Sequence, residues 1–195
     1  MEQILYWTAF IFYFLAAGLN IGFLAFRHQI FGKFGVAAMA GAFTIHTTAI
    51  IVRTVATGNP PLTNMFEYLL VFSWFSAIAF FISLKVVRIR FIQAICAPLI
   101  FMLFVAASLF PKEPVEQLMP ALQSIWLPIH ITLAAAGEAA FLVSFVAAIL
   151  MLIRLSNPAK ADEGQIPSEE KLERIIYQGI IIGYPLFTIG ALFAG

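Results

Sequence analysis

Long unbroken apolar runs dominate this chain, and short polar breaks divide them. Six runs meet the ~20-residue length of a bilayer-spanning helix: 4–26, 34–57, 62–84, 89–110, 126–153 and 174–195. They are too long for the ~10-residue strands of a membrane barrel. Only 154–173, RLSNPAKADEGQIPSEEKLE, is both long and polar. Ser168, followed by Glu169, Glu170 and Lys171, predicts a helix start inside it. The pattern predicts an all-α polytopic membrane protein with six transmembrane helices.

Basic residues in the short connections orient it. Arg27 and Lys33 fall in the first connection, Lys85, Arg88 and Arg90 in the third, and Arg154, Lys160 and Lys171 in the fifth. The second, GNPP, has none, and the fourth, about 111–125, has only Lys112 against Glu113 and Glu116. The odd connections are therefore expected in the cytoplasm and the N-terminus outside. Glu2 stands where a signal peptide would carry positive charge, so the first run is expected to stay as an anchor.

Composition agrees: 62% of residues are hydrophobic and 11% charged, against roughly 45–50% and 25% in soluble domains. Mean hydropathy is +0.97. One soluble core could not hide so much apolar surface. Soluble enzymes, nucleic-acid modules and disordered linkers are excluded. A net charge of +1 gives no polyanion signature. Cys96 is the only cysteine, so an internal disulfide, a CxxC pair and a cysteine zinc site are excluded too. Gly179 and Gly183, with the small-residue stretches 37–42 and 134–140, are expected to let helices approach closely. Pro98 and Pro185 are expected to kink the fourth and sixth spans. The chain stops in apolar sequence at ALFAG. Membrane helices usually end in polar or aromatic anchors, so the expectation is a chain cut as span six reaches the outer surface.

Ionisable groups within hydrocarbon are costly and thus functional candidates. His46 falls ~15 Å deep, near the midplane; it either makes an interhelical hydrogen bond, in a neighbourhood that includes Thr47 and Thr48, or ligates iron. Arg53 follows by seven residues on the same helix face, ~10 Å nearer the outside. Glu67 starts the next span beyond GNPP, so the two can pair and lock the hairpin; alternatively Arg53 binds an anionic group such as a haem propionate. His130 lies near the outer boundary of span five, behind Trp126 and Pro128, where a histidine is either simply solvated or functional. Glu138 is about 12 Å deeper and ~80° round the helix, and is expected to be protonated or paired. His28, beside Arg27, is expected to be solvated.

Three stretches carry a resemblance. NPPLTNMFEYLLVFSW (59–74), ALQSIWLPIHI (121–131) and GYPLFTIGALFAG (183–195) resemble, in order and spacing, segments of the CcsA/ResC haem-handling membrane proteins of System II cytochrome c biogenesis. The last resembles the run that precedes that family's tryptophan-rich WWD loop. The resemblance implies haem b as cofactor, received from the cytoplasmic side and held externally between histidines under the WWD loop. The haem vinyls then form thioethers with a CxxCH apocytochrome, and a ResB/CcsB-type membrane partner completes the synthase. By position His130 corresponds to the first external haem histidine, and His46 to a transmembrane histidine. The WWD loop and the later histidines are absent here, and Glu138 stands where the family usually has an aromatic residue. The haem-lyase activity of the whole synthase is therefore not expected from this chain alone.

The resulting expectation is a haem-handling subunit of a bacterial inner membrane with its functional face outside. Residues 1–120 would form a four-helix region, and 121–195 the start of the cytochrome c assembly domain, lacking its C-terminal part. His130 and His46 are the axial-ligand candidates, with Trp126 and Arg53 as further haem contacts and Arg53–Glu67 as a structural ion pair. No nucleic-acid partner is expected. A HemX-like member of the same superfamily is one alternative. A small-molecule transporter using Arg53, Glu67 and Glu138 is another, although no internal repeat supports it.

Overall fold

A computed structural model describes residues 1–87, 90–112, 126–156 and 166–192. Six helices account for most of them: α1 (Glu2–Phe26), α2 (Gln29–Thr57), α3 (Met65–Val86), α4 (Arg90–Ser108), α5 (Trp126–Ser156) and α6 (Glu169–Leu192). All six are long and apolar enough to cross a membrane, and the described residues contain no strand. The chain is an all-helical, multi-pass membrane protein. Arg88, Glu113, Glu116, residues 121–125 of the ALQSIWLPIHI stretch, Lys160 and 193–195 lie outside the described residues.

Local chemistry sets the helix ends. Arg27 closes α1 in the left-handed conformation (φ 57°), and its N–H donates to the Phe23 carbonyl. His28 caps α2 directly, accepting from the Ile30 N–H. The α1–α2 turn is thus two residues long, and α2 starts at Gln29 rather than 34, because the His28 cap lies ahead of the apolar run. Gly58 ends α2 at φ 71°. Pro60 and Pro61 cannot continue a helix. Asn64 then caps α3 by accepting from the Glu67 N–H at 2.9 Å, so α3 starts at Met65 rather than 62. At α6 the Leu172 N–H reaches the Ser168 carbonyl at 3.1 Å, so the helix starts where the Ser168 signal puts it.

The helices pack in the order α2–α1–α4–α3–α5–α6, each mainly against its neighbours in that series. The core lies at the α1–α2–α4 junction and along α3. Phe104 of α4 is fully buried. Its ring stacks on Tyr6 at 4.8 Å and lies 5.0 Å from both Tyr13 and His46. Outward positions such as Ile4, Phe14, Met102, Phe145 and Ile182 are apolar and exposed, as a lipid-facing surface requires. The starts of α1, α3 and α5 share one end of the bundle with the ends of α2 and α6. At the other end, Arg27 lies 4.5 Å over the Phe91 ring, and Arg154 Nη1 donates to the Ile166 and Pro167 carbonyls at 3.2 Å.

Truncating Phe104 removes the ring shared by three elements and leaves a cavity. Phe104→Ala is expected to cost about 3–5 kcal/mol, read as a large drop in the thermal midpoint of the detergent-solubilised protein. A loss under about 1 kcal/mol would mean that this junction is not the core.

Candidate functional site

At the end shared by the starts of α1, α3 and α5, one cation gathers four segments. Arg53, 4% exposed near the C-terminus of α2, faces Glu67, 2% exposed in the first turn of α3. Its Nε donates to Glu67 Oε1 at 2.7 Å, and Nη2 lies 2.7 Å from the same oxygen. Nη2 also donates to the Lys112 carbonyl at 2.9 Å, and Nη1 pairs with Glu2 at the start of α1. Glu67 Oε2 accepts from the backbone N–H and the hydroxyl of Thr63, both at 2.7 Å. The Lys112 ammonium lies over the Tyr6 ring at 4.2 Å and the Trp7 ring at 4.6 Å. All three guanidinium nitrogens are engaged, so Arg53 serves here as a hub.

The Glu67–Thr63 bonds fix the turn ahead of α3, and that turn is one wall of a cavity of about 490 Å³. Thr63, Asn64 and Tyr68 line it from this side, His130 and Glu138 from α5, and Phe187 from α6. The Tyr68 hydroxyl donates to Glu138 Oε2 across the α3–α5 contact, so Glu138 is paired. His130 Nδ1 lies 2.8 Å from the Gly190 carbonyl oxygen of α6. A carbonyl only accepts, so Nδ1 carries the proton in this bond, and in the neutral ring the lone pair is on Nε2. Trp126 opens α5 one turn earlier and is 48% exposed.

His46 sits apart from this cavity. It is 1% exposed, and its Nδ1 is 3.1 Å from the Tyr13 hydroxyl, which supplies its interhelical hydrogen bond. The nearby hydroxyl of Thr47 instead accepts from Trp74 Nε1 at 2.9 Å. His46 Nε2 has no partner among the described residues, and the Tyr13 and Phe104 rings pack against the imidazole. His28 is exposed at the opposite end.

Glu2, Thr63, Tyr13, Tyr68 and the Gly190 carbonyl are the participants that sequence reading does not single out. Glu2 has only its missing positive charge as a signal, Tyr68 its place beside Glu67, and the carbonyl has no signal. A neutral imidazole whose second nitrogen donates to a backbone carbonyl is the usual form of a metal-ligating histidine. His130 fits a haem-ligand role: its bare Nε2 has no partner among the described residues, and the ring lines a cavity. His46 would require the Tyr13 and Phe104 rings to part. Among the described residues, no three His, Cys, Asp or Glu side chains converge on a metal cage.

Leaving one buried charge unpaired costs more than removing both. Arg53→Leu and Glu67→Leu should each lower the thermal midpoint in detergent. The double variant should recover part of the loss, with a coupling of about 0.5–3 kcal/mol. Strictly additive losses would show that the contact contributes nothing of its own.

Residues 62–195 match the family described as Cytochrome C assembly protein. The Cytochrome c biogenesis protein CcsA of Synechococcus sp. (strain JA-2-3B'a(2-13)) is 30% identical over 128 residues, 64% of this chain and 37% of its own length. CcsA of Welwitschia mirabilis is 34% identical over 175 residues, 75% of this chain and 57% of its own. Protein NrfI of Wolinella succinogenes is 26% identical over 161 residues, 78% of this chain and 17% of its own. The chain thus spans less than two thirds of the length of each of these relatives. The matched region includes the Thr63–Glu67 turn, Tyr68, and the α5–α6 pair that carries His130 and Glu138; the chain belongs to the cytochrome c assembly protein family, among CcsA-type relatives.

Proposed function

We propose that this chain holds haem for cytochrome c maturation, with His130 Nε2 as one axial ligand at the extracytoplasmic face of a bacterial inner membrane. The observation that carries the reading is the His130 ring. Nδ1 is tied to the Gly190 carbonyl, and the ring lines a cavity with apolar walls and the polar Tyr68–Glu138 pair. Bound haem b would supply the iron for Nε2 and vinyl groups open to the thiols of a CxxCH apocytochrome. The chain's own residues orient and enclose. Arg53 and Glu67 hold the Thr63 turn as a wall, and Trp126 offers an aromatic face one turn from His130. The region before residue 121 acts as scaffold, and the region after it begins the haem-handling part. A ResB/CcsB-type membrane subunit is the partner. His46, near the midplane, is a second ligand candidate that becomes available if Tyr13 and Phe104 separate.

Orientation is part of the proposal and follows from the basic residues of the odd connections. Single cysteines at Asn59, and at His28 or Ser156, are all exposed positions, while the native Cys96 is buried. A membrane-impermeant maleimide added to intact cells should label position 59 and spare 28 and 156. The reverse pattern would put His130 at the cytoplasmic face and overturn the presentation role.

The ligand assignment is tested in the protein as the cell makes it. His130→Gly should weaken the Soret band and stop cytochrome c maturation, and imidazole added outside should restore both. His46→Gly should respond less readily to imidazole. An unchanged haem spectrum in His130→Gly, with only a modest loss of stability, would sink the assignment. A colourless wild-type protein would sink the haem reading as a whole.

A further inference from the structure

The Gly190 carbonyl reaches His130 only because α6 lies unusually close to α5. Helix α6 packs chiefly on α5, so α5 is the main determinant of where it sits. The glycines of α6 meet both the backbone and side chains of α5. A Cβ added at Gly183 would stand 2.6 Å from the Phe141 ring and 2.9 Å from the Gly137 carbonyl oxygen. One added at Gly190 would stand 3.1 Å from both the Ala134 nitrogen and the His130 carbonyl oxygen. Lower down, the Ser144 hydroxyl donates to the Ile176 carbonyl at 3.0 Å. At these levels α6 presents only glycine to α5, so the short ring of His130 spans the gap to a main-chain oxygen at 2.8 Å. Moving α6 out by about 1 Å would stretch that contact beyond hydrogen-bond range.

We propose that the glycine-mediated contact of α6 with α5 selects the tautomer of His130. The Gly190 carbonyl holds the proton on Nδ1 and thereby assigns Nε2 as the ligating nitrogen. Gly183 and Gly190 are positioning residues for the site, acting through the helix spacing. This rests on the reading of His130 as a haem ligand. It goes beyond that reading by naming the device that prepares the ligand before any haem arrives. The orienting partner is a backbone carbonyl, which no side-chain substitution removes. The point of control therefore moves to the glycines, and Gly183 lies about 10 Å along α6 from Gly190.

The test reads the tautomer directly. Full-length protein labelled with ¹⁵N-histidine and kept free of haem gives ring-nitrogen resonances for His28, His46 and His130, assigned with His28→Gln and His46→Gln. His130 is expected to carry its proton on Nδ1 and none on Nε2. Gly183→Leu, which wedges the helices apart, should give a mixture of tautomers. Gly190→Ala, which meets only the 3.1 Å contacts, should give a smaller change, and Ile181→Leu on the exposed face should give none. Haem titration of Gly183→Leu should then show roughly 10–100-fold weaker binding, the usual loss when the partner of a metal-ligating histidine is disturbed. A wild-type ring with its proton on Nε2 would overturn the proposal. So would a folded Gly183→Leu protein with the wild-type tautomer. If Gly183→Leu does not fold, the wild-type resonance and Gly190→Ala decide the matter in the same way. The expected tautomer in a protein that never binds haem would instead overturn the ligand role of His130 and leave the α5–α6 contact as what sets its tautomer.

Discussion

A guanidinium cannot be left unpaired beneath a membrane surface, and the organisation of one end of this molecule follows from that constraint. Arg53 meets it with two carboxylates and one carbonyl, drawn from α1, α3 and the segment after α4. Each partner is thereby fixed. Glu67 is held so that its second oxygen takes both polar groups of Thr63, and the turn before α3 becomes a rigid wall. The cavity at His130 uses that wall. Arg53 therefore shapes the site without lining its cavity, through one carboxylate and one turn.

The fold was legible because hydrocarbon imposes a length and an apolarity that few other structures share. The helix ends were less so. At α3 the apolar run begins at Leu62, but Pro60, Pro61 and the Asn64 cap decide that the helix begins at Met65. The Arg53–Glu67 contact could be read because a short turn with two prolines leaves the ends of α2 and α3 little choice of partner. Glu2 and Arg53 are 51 positions apart, and Tyr68 and Glu138 are 70 apart. No periodicity connects residues at such separations; only the packing order of the helices does, and that order is set by close packing spread over many side chains.

His46 and His130 show how little residue type alone decides. Both are histidines within apolar helices, and in both Nδ1 has a hydrogen-bond partner. The partner of His46 is a phenol, which can donate or accept, so the bond leaves the tautomer open, and the core encloses the other nitrogen. The partner of His130 is a carbonyl, which can only accept, and its ring borders a cavity. The difference lies in the neighbouring helix, whereas the sequence separated the two only by depth and by their place in the family resemblance.

The same comparison explains why the α5–α6 contact is made by glycine and not by interlocking large side chains. In lipid, burying apolar surface between helices yields little, since acyl chains solvate it equally well. Large apolar residues on α6 are therefore free to face outward, as Ile181, Ile182 and Tyr184 do, and close backbone approach must hold the pair. That approach brings main-chain carbonyls within reach of the facing helix. A histidine on α5 then finds an acceptor without any polar side chain on α6. In a soluble protein a carboxylate commonly orients a ligating imidazole, but one more carboxylate in this seam would need a donor or cation of its own. Arg53 already serves Glu67 and Glu2, and Tyr68 serves Glu138. A carbonyl delivered by a glycine contact orients the ring and adds no charge to the membrane interior.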